Sequence, residues 1–369
     1  MIVELDIESL INFLSIAIGF FLAIHFLTLR GINKNSNLFL GLFLLQVSIS
    51  VFITQVEFLI VESNNIRWLF LPIISPFAYM PILYYHSLSI TNLFKANGKK
   101  MLWIFIPALI ELCLKLLLFL FYPNLTLGDD FFNSYIYITL YLSTIYSLFI
   151  LYLLLKIIKI HNANILNLFS TIEDKQLNWL RLLSIVNIGF NVIWFLDDSL
   201  VLLGVGNPVS HFIAEFSLFG TLINICWMGF ASLRQPSIFK LDIDKYTSDK
   251  KSNSTIEDEL LFSQFKLQIE SDFIYLKSDL TLKELANELN TRDKELSRII
   301  NLCYSQNFFH FINSYRINYF KKHVNNPDKK NLSIEGLAFE AGFKSKSSFY
   351  TAFKKIEKMT PKEFELSIK

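Results

Sequence analysis

The chain has few of the residues that build covalent or metal-held frameworks. Its three cysteines, Cys113, Cys226 and Cys303, lie far apart with no CxxC spacing, so the sequence predicts neither a disulfide framework nor a zinc site. It also lacks a glycine-rich phosphate loop, the GxSxG and HExxH motifs, and the signatures of histidine kinases and nucleotide cyclases. Those patterns supply phosphate binding, acyl transfer and zinc hydrolysis. We therefore expect no enzymatic activity, no metal and no cofactor.

The beginning of the sequence lacks basic side chains. Glu4, Asp6 and Glu8 are acidic, and the first Lys or Arg is Arg30. A cleavable signal peptide carries a basic region before its apolar core. The first apolar segment is therefore expected to remain in the protein.

Apolar residues are abundant. The 369 residues are 53% hydrophobic, include 37 Phe, and have a mean hydropathy of +0.41, which is outside the range of ordinary soluble proteins. The net charge of +2 averages two unlike parts. Residues 265–369 hold 18 Lys and Arg against 13 Asp and Glu, whereas residues 1–264 hold 16 against 19. An acidic, apolar region thus precedes a basic one.

Seven apolar stretches are long enough to cross about 30 Å of hydrocarbon as helices of about 20 residues. They lie near 9–29, 38–62, 68–94, 101–122, 131–155, 182–203 and 211–233. The third contains Pro72, Pro76 and Pro81, so we expect it to be kinked or to begin late. The sequence predicts an all-α protein whose residues 1–235 form a seven-helix transmembrane sensor domain.

The basic residues between these stretches predict the orientation. Alternate loops carry nine of them: Arg30, Lys34, Lys95, Lys99, Lys100, Lys156, Lys159, Lys175 and Arg181. The opposite loops carry only Arg67. Because Lys and Arg in short loops stay on the cytoplasmic side, we expect a multi-pass protein of the inner (cytoplasmic) membrane. Its N-terminus would be outside and its C-terminal domain in the cytoplasm.

Residues 236–255 change in composition to Lys, Asp, Ser and Asn, which is typical of a polar linker. About 20 flexible residues span roughly 25 Å, enough to clear the lipid headgroups. The stretch IEDELLFSQFKLQIESDFIYL then has helical apolar spacing. It predicts the first helix of a separate domain over residues 256–369.

Ionisable residues inside membrane spans are costly and suggest a functional site. Those expected in the outer half are Glu57, Lys115, Asp197, Asp198 and Glu215. They would line an externally open pocket, whose acidic excess favours a cationic or amine-bearing ligand or a basic peptide. Two alternatives stay open: Lys115 and Glu111 neutralise each other at i, i+4, or the acids lie at headgroup level.

The stretch 332–361 predicts a helix, a tight turn and a second helix. One apolar face recurs at helical spacing: Ile334, Leu337, Ala338 and Ala341. Gly342 follows, where the first helix must stop. Phe349, Phe353 and Ile356 mark the buried side of the second helix. Thr360 and Pro361 then open a closing helix, with Glu363 completing a capping box.

This pattern occurs a second time at an offset of 52 residues. The earlier apolar face is Leu282, Leu285, Ala286 and Leu289, and the buried side of its second helix is Leu296, Ile299, Ile300 and Cys303. Asn290 stands where Gly342 stands, and both residue types tolerate the left-handed turn that ends a helix. Thr281 and Glu284 form a capping box. Between the two copies, FFHFINSYRINYFKKHV predicts one long connecting helix.

These residues resemble the DNA-binding domain of the AraC/XylS family of bacterial transcription regulators over about residues 260–369. The segments that carry the resemblance are LTLKELANEL, LSRIIN, INSYRINYFKK, and AGFKSKSSFYTAFKK followed by TP. At two helix ends where members of the family usually have glycine, this chain has Ser305 and Lys358. The resemblance implies two reading helices that enter successive major grooves on one face of double-stranded DNA, roughly 34 Å apart.

The resemblance also implies which residues contact DNA. In the first unit they are Arg292, Lys294, Ser297 and Arg298; in the second they are Lys346, Ser347 and Tyr350. Arg298 is the leading candidate for a bidentate contact to guanine. Lys354 and Lys355 lie further along their helix and are expected to meet phosphate.

The sequence therefore predicts a membrane-embedded transcription regulator that responds to an external or membrane signal. Its expected partners are DNA and the lipid bilayer, with homodimer formation left open. Two alternatives remain. One is that the C-terminal region is a solvated helical bundle whose lysines only keep it soluble, but the duplicated motif and the basic charge favour DNA. The other is that the whole chain is a receptor or transporter whose cytoplasmic tail binds protein.

Overall fold

The computed structural model describes residues 7–30, 33–62, 66–91, 98–122, 130–202, 208–234, 255–326 and 332–368. The described chain is all-helical, with an isolated antiparallel bridge between Phe169 and Thr281 and no strand among these residues. It divides into two compact units. The first comprises residues 1–159 and 177–240, and the second comprises residues 160–176 and 241–369.

The first unit contains the long apolar helices. They are α1 (Ile7–Thr28), α2 (Lys34–Glu62), α3 (Tyr79–Ile90), α4 (Ile106–Phe121), α5 (Asp130–Leu166, shared with the second unit), α6 (Asn178–Leu202) and α7 (Pro208–Arg234). A 3₁₀ turn at Ile66–Phe70 precedes α3, and another at Lys99–Phe105 runs into α4. Six of these helical segments are long and apolar enough to cross a membrane: Ile7–Thr28, Lys34–Val56, Lys99–Phe121, Ser134–Leu166, Asn178–Asp197 and Phe216–Leu233.

Helix α4 illustrates why this unit suits a lipid environment. Leu109, Leu117 and Leu120 are each about half exposed or more, at 61%, 49% and 52%. A helix that is apolar on its outward face as well as its inward face is typical of a membrane span. Inside the unit, the core is built from α1, α2, α3, α5, α6 and α7, with members such as Phe26, Leu44, Leu83, Ile150, Leu180 and Met228.

The third predicted span, 68–94, differs from the expectation of a membrane-long helix. Its described part is a short 3₁₀ turn, an irregular stretch, and the 12-residue helix α3, which is only about 18 Å long. Pro72 and Pro76 fall in the irregular stretch, where each removes a backbone donor and restricts the preceding residue. The prolines therefore break the span more severely than a kink.

The broken segment nevertheless contacts neighbouring helices near its start, in its middle and near its end. Near its start, the ring of Phe70 lies 5.7 Å from that of Phe132, at the beginning of α5. Midway, Gln46 of α2 donates from Nε2 to the carbonyl of Ser75 at 2.7 Å, which satisfies a carbonyl freed by the break. Near its end, His86 Nδ1 lies 3.1 Å from Ser36 Oγ, at the beginning of α2.

The second unit is a helical domain with its own core. Its helices are α8 (Ile256–Ser271), α9 (Leu282–Glu288), α10 (Asp293–Cys303), α11 (Phe308–His323), α12 (Ile334–Glu340), α13 (Lys346–Glu357) and α14 (Pro361–Ser367). A 3₁₀ turn at Ile274–Leu276 follows α8. Helix α8 ends at Ser271, earlier than the predicted 21-residue helical stretch. Of the predicted linker 236–255, only Thr255 lies within the described residues, as the N-cap of α8.

Residues 160–176 belong to this second unit, although they connect α5 to α6 and come from between two predicted spans. Their apolar side chains share one core with α8 to α13: Ile165, Leu168, Phe169 and Ile172. We call residues 160–176 the inter-span segment. The domain boundaries predicted from the sequence placed this segment in the membrane domain, residues 1–235. Its own residues do not indicate which part of the chain it packs against.

Candidate DNA interface

Two helix-turn-helix units form with matching backbone geometry. In the first, α9 ends, Asn290 takes a left-handed φ of 51°, and Thr291 N donates to Ala286 O at 2.9 Å. In the second, α12 ends, Gly342 has φ 91°, and Phe343 N donates to Ala338 O at 3.1 Å. The paired residues are 52 apart, as in the sequence repeat. The predicted turns are confirmed.

The second turn requires glycine for a further reason. A Cβ on residue 342 would lie 2.6 Å from the carbonyl oxygen of Leu276, which is backbone and cannot move aside easily. A positive φ alone would also admit asparagine. The close approach of the Leu276 backbone excludes every side chain at this position.

Capping boxes set the starts of the helices, as predicted for two of them. The Thr281 hydroxyl accepts from Glu284 N, and the Thr360 hydroxyl accepts from Glu363 N. In each box the Glu carboxylate accepts in turn from the backbone N–H of the cap residue. The reading helix α13 has a box built from Ser345 and Ser348. The hydroxyl of Ser348 replaces the usual Glu or Gln at the third position, which is why a search for that signature misses this box.

The connecting helix α11 contains a fully buried arginine whose role the sequence analysis missed. Arg316 is 0% exposed. It donates from Nε to Tyr275 O at 2.8 Å, from Nη2 to Lys277 O at 2.7 Å, and from Nη1 to Asn313 Oδ1 at 3.2 Å. Burial lowers the pKa of Arg316 to about 10, so it remains charged at neutral pH. Arg316 thereby holds the 275–277 turn against α11, and the charged contacts offset its desolvation.

The first reading helix, α10, presents a mixed set of predicted DNA residues. Arg292 is its N-cap and is exposed, and Lys294 is exposed in the first turn. Ser297 is only 6% exposed, and the carbonyl of the same residue accepts from Asn301 Nδ2 at 2.8 Å. The structure thus buries Ser297 on the side of α10 that also carries Ile300, whereas a contact with a base edge needs an exposed side chain.

Arg298, the leading candidate for guanine, is engaged within the chain. Its Nη2 and Nη1 donate to the two carboxylate oxygens of Asp258 at 2.6 and 3.0 Å. This hydrogen-bonded pair, together with the cap of α8 at Thr255, holds the pKa of the Asp258 carboxyl far below its usual range. Contact with Asp258 also raises the pKa of Arg298. A guanine contact would use the same guanidinium edge, so it requires Arg298 to leave Asp258.

The second reading helix, α13, is more open. Ser347 and Lys354 are exposed, and the Lys346 side chain is 63% exposed although its Nζ lies 2.6 Å from Glu335 Oε1. Tyr350 is half-buried, with Lys346 Nζ 5.5 Å from its ring centre. These four residues form a contiguous polar surface of the kind that contacts a major groove.

Lys355 differs from its neighbour Lys354. Its Nζ lies 5.1 Å from the ring centre of Phe309, and the residue is half-buried. Burial, the largest effect, and the nearby charge of Lys358 lower the pKa of Lys355. The structure thus places Lys355 partly against the domain, while Lys354 points to solvent.

Of the five residues predicted to bind a ligand in the membrane domain, the structure describes the side chains of two. Lys115 Nζ lies 2.9 Å from Glu111 Oε1 and donates to Ile74 O at 3.1 Å, which is the neutralising arrangement left open above. Asp197 is 4% exposed, and its Oδ1 has no hydrogen-bond partner among the described residues. The side chains of Glu57, Asp198 and Glu215 lie outside the described part of the chain.

One comparison with known proteins identifies the C-terminal region. Residues 285–366 match the model of a family described as a helix-turn-helix domain, of the AraC type. The comparison with curated proteins and the comparison with solved structures found no match. The matched range begins in α9 and ends in α14, so it includes both turns and both reading helices. Residues 285–366 therefore carry a helix-turn-helix domain similar to those of AraC-type DNA-binding regulators.

Proposed function

We propose that the chain is a membrane-embedded one-component transcription regulator, in which a region of membrane-crossing helices senses a signal and a cytoplasmic AraC-type domain binds DNA sequence-specifically. The observation that carries the proposal is the pair of helix-turn-helix units with the same turn geometry, each with exposed basic residues on its reading helix. DNA recognition by two such units uses the exposed basic surface of each reading helix. A helical bundle with only a structural role does not require a second such surface.

The orientation follows from the cations and from the path of the broken segment. We count residues 66–91, which contact α2 and the beginning of α5, as a seventh crossing beside the six long apolar helices. Seven crossings and the lopsided distribution of loop cations favour an external N-terminus and a cytoplasmic C-terminal domain. That is the side on which DNA is accessible.

The mechanism requires a coupling free energy between sensing and DNA binding. A signal acts only if it binds two arrangements of the membrane helices unequally. Asp197 is buried, with a carboxylate oxygen that has no hydrogen-bond partner among the described residues, and we take it as the described group best suited to contact such a ligand. In cells with a transcriptional reporter, Asp197→Asn with Asp198→Asn should remove the response to the signal and leave basal DNA binding intact.

DNA binding is tested with the full chain in lipid nanodiscs. Selection from a random duplex library at two salt concentrations should yield a preferred sequence with two half-sites about one helical turn apart. Crosslinking in the native host should recover the same sequence from the genome. A chain that shows no sequence preference at either salt concentration is not the proposed regulator, and it would fit the protein-binding receptor instead.

Topology is tested separately with reporter fusions. Fusions after Ser36 and Lys250 should report from the cytoplasm, and a fusion after Gly128 should report from outside. An external signal from the Lys250 fusion would contradict the proposal, since the C-terminal domain would have no access to DNA.

A further inference from the structure

The inter-span segment contacts the first helix-turn-helix unit through its backbone. Ser170 N donates to Leu280 O at 3.1 Å, and Leu282 N donates to Leu168 O at 2.9 Å. These two bonds flank the bridge between Phe169 and Thr281, which makes that pair a non-hydrogen-bonded antiparallel pair. The segment is therefore paired with the chain where α9 begins.

Apolar burial reinforces the backbone pairing. Leu168, Phe169 and Ile172 are 5%, 2% and 3% exposed and lie within the core of the DNA-binding domain. Burying such side chains is favourable relative to leaving them in water. The segment is thus part of the folded domain, not a loop lying on its surface.

The segment also contacts the buried network around Arg316. Asn313, which is 0% exposed, donates from Nδ2 to Ser170 O at 2.8 Å, while its Oδ1 accepts from Arg316. Arg316 in turn fixes the 275–277 turn, and the Leu276 carbonyl of that turn packs against Gly342 of the second unit. A continuous series of contacts connects the segment to the start of α9 in the first unit and to the turn at Gly342 in the second.

A charge cluster adds a contact next to the second reading helix. Lys344, just before α13, lies 3.3 Å from Asp174 of the segment and 3.1 Å from Asp279. Lys175 of the segment lies 2.9 Å from the same Asp279. Lys175 and Lys344 both contact Asp279, so this carboxylate connects the segment to the residues just before α13.

The packed segment leaves the reading surfaces open. It bonds to Leu280, Leu282, Asn313 and Lys344, and Lys294 and Ser347 on the two reading helices remain exposed. The packed arrangement is therefore compatible with bound DNA.

Packing of the segment also has a free-energy cost, because Ser170 Oγ and Thr171 Oγ1 are buried without hydrogen-bond partners among the described residues. Separation would return both hydroxyls to water, which favours a reversible contact.

Both ends of the segment are covalently joined to membrane-type helices. Helix α5 continues without a break to Leu166, and Ile165 near its end already lies in the core of the DNA-binding domain. Helix α6 begins at Asn178, after the segment. His161 Nε2 lies 3.1 Å from Lys175 O, which brings the two ends of the segment together. Movement of α5 or α6 would therefore act directly on the packed residues.

We propose that the inter-span segment is the element through which the membrane helices control DNA binding. In its packed position it holds the two helix-turn-helix units in the arrangement that binds DNA, and its separation weakens DNA binding. The proposal rests on the proposed function, since it presupposes DNA recognition. The alternative is that the linker 236–255 alone transmits the signal. In that case, binding of DNA would not change the packing of the inter-span segment.

Reciprocal linkage provides a test without mutation. If packing strengthens DNA binding by some factor, DNA must strengthen packing by the same factor. With the full chain in nanodiscs, saturation with the duplex obtained by selection should slow hydrogen exchange at the amides of Ser170 and Leu282 by about five-fold or more. The amide of Asp272, at the end of α8, is the control and should change little.

The outcomes separate the two proposals. Slowed exchange at Ser170 and Leu282 supports the inference. Bound duplex with unchanged or faster exchange at these two amides overturns it and leaves the regulator intact. Absence of any preferred duplex in the selection contradicts the proposed function itself.

A reversible crosslink provides a second test. Non-hydrogen-bonded pairs have Cα atoms about 4.5 Å apart, within the range that a disulfide spans. In a chain whose native cysteines are replaced by alanine, Phe169→Cys with Thr281→Cys removes the buried ring when reduced and fixes the segment when oxidised. We expect the reduced form to bind the duplex at least ten-fold more weakly than the parent and the oxidised form to recover to within about three-fold. The factor of ten corresponds to 1.4 kcal/mol.

Oxidation and reduction of the same protein make this comparison internal. The single variant Thr281→Cys measures the loss of the α9 cap and should not respond to oxidation. Equal DNA affinity of the oxidised and reduced double variant, with the disulfide verified by mass, overturns the inference.

Discussion

The two helix-turn-helix units share a backbone turn but differ in what surrounds it. Asn290 and Gly342 occupy equivalent left-handed positions with equivalent hydrogen bonds. Asn290 is exposed, whereas Gly342 lies against the backbone of Leu276. The backbone motif therefore tolerates two residue types, and packing against a neighbouring segment removes that tolerance in the second unit.

The reading helices differ in the same way. In the first unit, Ser297 is buried and Arg298 is held by Asp258. In the second, Ser347 and Lys354 are exposed. Equal spacing in sequence thus produces unequal chemical surfaces, because α8 packs beside the first reading helix and supplies an acidic partner. We expect the second unit to meet DNA with less rearrangement than the first.

The largest effect should distinguish the two turns. Gly342→Ala introduces a left-handed alanine, which costs about 1–2 kcal/mol, and an overlap with the Leu276 backbone, so we expect a total loss of about 3 kcal/mol. Asn290→Ala should cost only about 1 kcal/mol. Hydrogen exchange at the amides of Phe343 and Thr291, in the full chain in nanodiscs, measures both. Equal losses at the two turns would show that the Leu276 contact is unimportant.

A smaller effect concerns specificity in the first unit. If Arg298 leaves Asp258 to read guanine, Arg298→Ala should relax preference at one base pair by about 1–3 kcal/mol. Asp258→Asn removes the competing charge, so it should keep that preference and strengthen binding. Library selection with each variant gives the comparison. If both variants change specificity alike, Arg298 acts by positioning α8 rather than by reading DNA.

A third comparison lies within α13. Lys354→Ala should weaken binding to all sequences similarly and reduce the slope of log affinity against log salt by about one unit, because one phosphate contact is lost. Lys355→Ala should change the slope less, since its amine lies over Phe309 and is half-buried. Affinity titrations over a series of salt concentrations test this. A larger slope change for Lys355 would reverse the assignment.

The smallest effect concerns two non-glycine residues in left-handed positions. Ser305 has φ 56° and Lys358 has φ 62°. Both stand at helix ends where members of the AraC/XylS family, which this region resembles, usually have glycine. Ser305→Gly and Lys358→Gly should each stabilise the domain by about 0.5–1 kcal/mol. Lys358→Ala is the control and should bring no such gain. Hydrogen exchange in the C-terminal unit measures the change, and a destabilising Ser305→Gly would contradict the strain argument.

Local patterns predicted the helices of the C-terminal domain well. The turns at Asn290 and Gly342, the boxes at Thr281 and Thr360, and the connecting helix are confirmed. Each depends on residues within a few positions of one another, so the sequence contains the whole interaction. The third apolar stretch shows the limit of this reasoning: its composition suits a span, but its prolines prevent a continuous helix over the described part.

Tertiary structure alone decided the contacts between distant residues. The sequence by itself determined an all-α chain, an apolar region followed by a basic one, and two helix-turn-helix units. It did not determine that Asp258 holds Arg298 across 40 positions, or that Asn313 and Ser170 meet across 143. Periodicity identifies which face of a helix is buried but not which segment buries it. Which segment packs there depends on complementary shape and on hydrogen bonds between residues far apart in the sequence.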